Sequence, residues 1–412
     1  MNYKILVIIL LSAFLLFAQE KEKSIPVFLE HHSILVNDSQ KEILTYRIPY
    51  DILLFTKLNE SYEAKFSLSV EFYDSTLFIL REIKSSTVTT NDYELTKNNS
   101  VYCQDLIEFD MIPGKYDLNA NLLIEGVDGQ FELPPYKINV ENLVSKKVSP
   151  PFFVEKNNSN KDEIRLVNFS NSIPLSPNKF EMIVCVNDTT ISDLKYSINK
   201  AEKVILQDSS NDYFDGTINI VYNNNSFLIK ENKEKKAQRI FTISNFSNLL
   251  VEGKYEIEFS LKNEKSKYPI EVVWINKPRV LNNPEYAIKL ISYIDDDEVV
   301  KDLLFRDEEK YYEGLFDYWN TKYPSNGTKF NFAMNEYYTR ADYAIENFSS
   351  LNSIDGAETD RGRIYITYGK PSSVERNYSE KNEIMEIWHY EKISRDYIFK
   401  DTSGTGKFSL VR

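Results

Sequence analysis

Between residues 25 and 275 apolar side chains recur at every second position, and this period constrains the fold more than any other feature of the chain. In Tyr62 to Phe72, the residues Ala64, Phe66, Leu68, Val70 and Phe72 share one face, while Lys65, Ser67, Ser69 and Glu71 share the other. Successive strand side chains point to opposite faces, so this pattern specifies an antiparallel strand with one face on a core and one in water. A helix buries positions three and four apart, and cannot bury all five residues of the first set.

A repeat refines the reading. Pro113-Gly114-Lys115-Tyr116 precedes the alternation Leu118, Ala120, Leu122, Ile124; Glu252-Gly253-Lys254-Tyr255 precedes Ile257, Phe259, Leu261. A turn glycine, one spacer and a tyrosine opening an inward-facing strand is the sequence form of a tyrosine corner, in which the ring packs inside and the hydroxyl bonds a nearby loop. Final strands follow at Tyr136, Ile138, Val140 and at Ile270 to Ile275. Two tandem immunoglobulin-like sandwiches are therefore expected, at residues 24–143 and 150–276, with Val148-Ser149-Pro150-Pro151 as a stiff linker. Residues 141–215 alternate weakly apart from Phe180, Met182, Val184 and Val186.

The period changes after Pro278. Asn283-Pro284 is a helix start, with asparagine as N-cap and proline in the first turn. Ile288 and Ile291, then Leu290 and Ile294, recur at helical spacing. Asp295 to Glu298 are acids suited to the start of a second helix. Tyr312, Leu315, Phe316 and Trp319 form an apolar stripe, and Met334, Tyr337, Ala341, Ala344, Ile345 and Phe348 form another. Alternation at Ile364, Ile366 and Tyr368, and the segments Glu386 to Tyr390, Tyr397 to Phe399 and Phe408 to Val411, read as strands. Residues 283–412 are thus expected to be an α+β domain of about three helices on a small antiparallel sheet.

The N-terminus reads as an address. Lys4 precedes an unbroken apolar run from Ile5 to Ala18, too short for a bilayer span but suited to a secretory signal peptide, residues 1–18. No cysteine at the cut offers a lipid anchor, and no transmembrane span is expected in the mature chain. Acids outnumber Lys and Arg by 62 to 49, a net charge of −13, which argues against nucleic-acid binding. Cys103 and Cys185 lie apart, without a CxxC or a nearby histidine, so no metal site or cofactor is implied. Export permits a disulfide, but the cysteines fall in different expected domains, which favours two buried free thiols.

The densest chemistry is Gly356-Ala357-Glu358-Thr359-Asp360-Arg361-Gly362-Arg363, read as a loop opening onto a strand. Together with Asn335-Glu336-Tyr337-Tyr338-Thr339-Arg340-Ala341-Asp342-Tyr343-Ala344, Tyr368-Gly369-Lys370-Pro371 and Ile387-Trp388-His389-Tyr390, it makes residues 315–412 resemble the GWxTD domain, a C-terminal module of exported proteins of Bacteroidota and related bacteria. Ala357 stands where the family name has tryptophan, and Lys322-Tyr323-Pro324 where the family tends to carry Arg-Asp-Pro. The resemblance implies architecture and an exported location, in the periplasm, at the outer membrane or outside the cell. It implies no reaction.

Glu358, Thr359, Asp360, Arg361, Gly362 and Arg363 are the candidate functional residues, with Arg340, Trp388 and His389 in support. Paired carboxylates suit acid–base cleavage of a polysaccharide, and arginines suit bidentate capture of a carboxylate. The structural alternative is that Asp360 caps its own turn, Gly362 supplies a positive φ, and Arg361 or Arg363 pairs with Asp360 or Glu336. No serine–histidine pair is evident among His31, His32 and His389. The chain reads as a non-enzymatic envelope interaction or assembly factor whose partner is another envelope protein or a glycan. The alternative is a polysaccharide-acting enzyme or glycan-binding protein using residues 356–363.

Overall fold

The structure, a computed structural model, describes residues 27–36, 39–156, 163–169, 172–223, 225–234, 237–262, 264–325, 327–349, 355–378, 383–402 and 404–411. The expected signal peptide lies outside these residues. The chain divides into two compact units. One holds residues up to Pro174, Phe180–Ser247 and Glu252–Val273; the other holds Leu175–Lys179, Asn248–Val251 and Trp274–Arg412.

The first unit is all β. In its N-terminal sandwich the strands Phe28–Val36, Ser39–Pro49 and Tyr102–Phe109 form one sheet. The facing sheet is built on Ser61–Asp74, Leu77–Thr90 and Gly114–Ile124, with the shorter Thr56–Leu58, Phe131–Glu132 and Tyr136–Val140. Ala64, Phe66, Leu68, Val70 and Phe72 all point into the core, where they meet Leu44, Tyr46 and Ile48. The alternation set this register because a slip of one residue would turn that whole apolar set outward.

In the second sandwich one sheet closes on itself through Phe152–Lys156, Ile164–Leu166, Ser226–Asn232, Tyr213–Asn223, Gln238–Ile243 and Glu181–Val186. A five-stranded sheet accompanies it, ordered Ser172–Pro174, Glu264–Val273, Gly253–Leu261, Leu194–Lys200, Lys203–Ser210. Phe153, Phe180 and Phe246 meet edge to face in its interior.

The two sandwiches share a core. Ile34 and Ile43 of the first pack with Phe152, Ile183, Ile220 and Ile240 of the second. The strand Ser39–Pro49 is consequently buried on both faces, which accounts for the run of eight buried residues at its end. Arg47 on that strand donates to Asn168 O at 2.8 Å and lies over the rings of Phe169 and Phe227. The segment expected as a stiff linker is pinned rather than free. Val148 and Ser149 are buried, Ser149 N donates to Cys185 O, and the Tyr268 hydroxyl donates to Val148 O.

The tyrosine corner forms at Tyr116, whose hydroxyl donates to Ile112 O at 2.9 Å. Tyr255, its counterpart in the repeat, is equally buried, with the Lys200 ammonium 5.3 Å from its ring centroid. Cys103 and Cys185 are free, and burial pushes both thiols up to about 12.

The second unit carries five α-helices among the described residues: Pro284–Leu290, Asp297–Leu304, Tyr311–Lys322, Phe332–Asn347 and Asp360–Tyr368. Asn283 caps the first by accepting from Tyr286 N, with Pro284 in the first turn. The four-stranded antiparallel sheet runs Ser373–Tyr378, Ile384–Tyr390, Arg395–Asp401, Ser409–Leu410. Trp319 is buried among Tyr318, Tyr323, Tyr337 and Tyr338. These tyrosines are structural donors: Tyr337 bonds Leu290 O and Tyr338 bonds Ala287 O, satisfying carbonyls at the end of the first helix that have no partner within it.

Candidate functional site

Residues 364–368, expected as a strand, are helical. Thr359 caps the helix Asp360–Tyr368, its Oγ1 accepting from Gly362 N at 3.0 Å while donating to Gly356 O at 2.7 Å. Gly369, at φ +81°, ends it. Alternating β-branched and aromatic residues over five positions mimic a strand, but a threonine cap, an acid in the first turn and a closing glycine fix helix boundaries more strongly.

The segment before it is a 3-10 turn, Gly356–Glu358, rather than an open loop. Asp355 caps this turn through Ala357 N at 2.8 Å and also accepts from the Tyr286 hydroxyl. Ala357, at the position of the family's tryptophan, is fully buried. Gly362 does not have a positive φ. Its reason is close approach: a Cβ there would stand 1.9 Å from Gly356 O, and one on Gly356 would stand 2.0 Å from Ala344 O. Three backbone segments meet here at a distance only glycine permits.

The charged residues find partners different from those expected. Asp360 does not cap its own turn; its Oδ2 accepts from Leu410 N at 2.8 Å and ties the last strand to the helix. Arg361 reaches Glu386 Oε2 at 3.3 Å and lies between the rings of Phe348 and Phe408, 5.1 and 4.0 Å from their centroids. Burial pushes the Arg361 guanidinium below its ordinary range, and Glu386 works against that shift. Arg376 supplies a second cation to Glu386 at 2.8 Å.

Arg363 and Glu358 are exposed. The Arg363 guanidinium lies 5.6 Å from the Tyr293 ring. Burial first, then Asp355 and Glu358 with it, pushes the Tyr286 hydroxyl far up. Arg340 donates to Ile366 O and Thr367 O at the end of the same helix and pairs with Glu336 one turn back. Trp388 is buried against Phe348, Tyr365 and Phe399. His389 is half-buried, Nδ1 at 2.8 Å from Asp396 and Nε2 at 3.6 Å from Glu375.

The structure therefore gathers Thr359, Asp360, Arg361, Gly362, Arg340 and Trp388 around one helix and its sheet. Glu358 and Arg363 stand on its outer side. The sequence reading did not foresee Glu386, Phe348 or Phe408 as partners of Arg361; an acid amid Ile384, Ile387 and Trp388 was the available signal. Among the described residues no group of three or more His, Cys, Asp or Glu side chains is placed to hold a metal ion, and no helix is long and apolar enough to cross a membrane.

Residues 253–412 match the GWxTD domain family model. The C-terminal region is a GWxTD domain. The match starts at Gly253, in the glycine–tyrosine turn of the second sandwich and well before residue 315, so the family pattern includes the strands Gly253–Leu261 and Glu264–Val273. No curated protein matches the chain. Among solved structures, a tandem of titin immunoglobulin domains aligns with 60% of this chain and 95% of its own, at 12% identity and a TM-score of 0.13. The sandwich assignment rests on the strand order of the sheets.

Proposed function

We propose that the protein is an exported cell-envelope factor that works by binding and assembly rather than by catalysis. The supporting observation is the use made of the densest chemistry in the GWxTD domain. Asp360 holds Leu410, Arg361 is stacked and paired with Glu386, and Thr359 caps a helix. The Asp360 carboxylate is thereby engaged in tying the last strand to the helix, and the Arg361 guanidinium is held by its own ring and carboxylate partners. In this reading the segment is the keystone of the domain, and the domain presents surfaces to an envelope partner. The mature chain acts outside the cytoplasm, its leader removed.

Photocrosslinking amino acids at the exposed positions Glu358 and Arg363 test this in cells. The expected result is one discrete adduct, recovered from the envelope fraction. A protein that fractionates with the cytoplasm and yields no adduct from either position refutes the reading.

The enzymatic alternative assigns Glu358 and Asp360 to acid–base work on a polysaccharide. Replacing both by amides separates the two: loss of a polysaccharide-cleaving activity with the fold intact favours the enzyme. The glycan-binding alternative draws less support. A groove of about 860 Å³ on the five-stranded sheet offers Ser197, Asn199, Glu256 and Glu258, but its one ring, Tyr196, is buried and gives a sugar no stacking face.

A further inference from the structure

The strand Leu77–Thr90 is hydrogen-bonded along one side only. Its pairing with Ser61–Asp74 runs from Tyr62 opposite Thr90 to Asp74 opposite Leu77, and among the described residues no strand pairs with its other edge. Unpaired N–H and C=O groups along an edge template another strand, which is why proteins blunt such edges with proline, bulges, short length or charged side chains. This edge is 14 residues long and holds no proline. Its bulge is confined to one end, between Phe72 and Tyr73 of the neighbour, so residues 80–90 keep a regular register. Leu77, Phe78, Ile79 and Ile83 are exposed, Ile83 at 57%.

The sequence of the edge is complementary to itself. Two copies of a strand related by a two-fold axis run antiparallel, and side chains keep to their own face only if the axis passes through a residue. An axis at Arg81, Glu82 or Lys84 sets that charge against its own copy, which is unfavourable for residues directly opposite. An axis at Ile83 sets Ile83 against the partner's Ile83. Glu82 then faces the partner's Lys84, and Lys84 faces the partner's Glu82. Arg81 meets the partner's Ser85, and Leu80 meets the partner's Ser86. Within this seven-residue stretch no like charges oppose each other. Lys84 is 40% exposed with its ammonium 2.9 Å from Asp105, so it remains accessible to a second carboxylate.

We propose that two copies of this chain pair through the Leu77–Thr90 edge, about an axis at Ile83, into one continuous sheet. The occupant is a second copy because the register that buries the exposed isoleucine is also the one that pairs both charges.

Sedimentation equilibrium on the purified protein tests this, with unfolding curves to show that each variant is folded. The protein is expected to dimerise below about 100 µM, and Ile83→Lys, at an exposed position, to leave it monomeric. Glu82→Lys alone and Lys84→Glu alone each set like charges across the interface twice, and each is expected to weaken the dimer about tenfold or more. Mixing those two variants restores opposite charges at both places and restores the dimer. A wild-type protein that stays monomeric at that concentration overturns the proposal, as does a dimer indifferent to Ile83→Lys. So does a mixture of the charge variants no tighter than either alone.

Discussion

Replacing Arg361 by methionine separates a structural from a ligand-binding role. The Arg361 side chain is 11% exposed, between Phe348 and Phe408 and against Glu386, which is itself 10% exposed. Methionine keeps most of the stem's packing and loses the charge. The stacked guanidinium contributes about 1–2 kcal/mol when desolvated. Leaving a buried carboxylate without its partner costs about 3–5 kcal/mol, but Arg376 remains at 2.8 Å from Glu386. Arg376 is 52% exposed, so water weakens its share, and roughly half of that penalty should survive. The expected loss is about 3 kcal/mol, read as a shift in urea midpoint at unchanged slope. In a double-mutant cycle with Glu386→Gln, the second change should cost less in the Arg361→Met background, because the two groups share one interaction. A loss under about 0.5 kcal/mol with full additivity would falsify the pairing and return Arg361 to the ligand-binding candidates.

Other consequences are independent. Gly362→Ala should destabilise the GWxTD domain by about 2–3 kcal/mol, since its Cβ would meet Gly356 O and one of two backbone segments must move; unchanged thermal unfolding would refute the close approach. Tyr116→Phe should cost about 1 kcal/mol by removing the hydroxyl's bond to Ile112 O, and equal stability would remove the corner. His32 is buried, and its ring is pushed down to about 3, by burial first and then by His31 and Arg47, with Glu30 3.8 Å away. Its folded value lies below the unfolded value near 6.5, so the folded state binds fewer protons and stability is complete above 6.5. It falls as pH drops, by about 2 kcal/mol at pH 5. His32→Gln should flatten that part of the pH profile, and a profile parallel to wild type contradicts the assignment.

What the sequence made legible follows from what each pattern depends on. The strand Ser61–Asp74 was readable because one face is wet and the other dry, so burial imprints itself on alternate residues. Ser39–Pro49 is dry on both faces and carries no such imprint. For the same reason the two sandwiches read as separate domains joined by a linker; Ile43 shows only in space that they share a core. The Asn283 cap was legible because capping is local in sequence. Thr359 was equally local but was overshadowed by the alternation of Ile364 and Ile366. The glycine of the candidate site was noticed for the wrong reason, because a close approach between segments leaves no trace in the residues beside it. The partners of Asp360 and Arg361 lie 50 and 25 positions away, beyond the reach of spacing arguments.

Residues 356–363 are proposed to hold the GWxTD domain together instead of standing open to a ligand. Native-state hydrogen exchange at three amides tests it most directly: Ala357, bound to Asp355; Gly362, bound to Thr359; and Leu410, bound to Asp360. All three are expected to exchange only with opening of the domain, and Asp360→Ala to release Leu410 while Ala357 stays protected. Exchange of all three at the rate of an unstructured chain in the wild-type protein would contradict it.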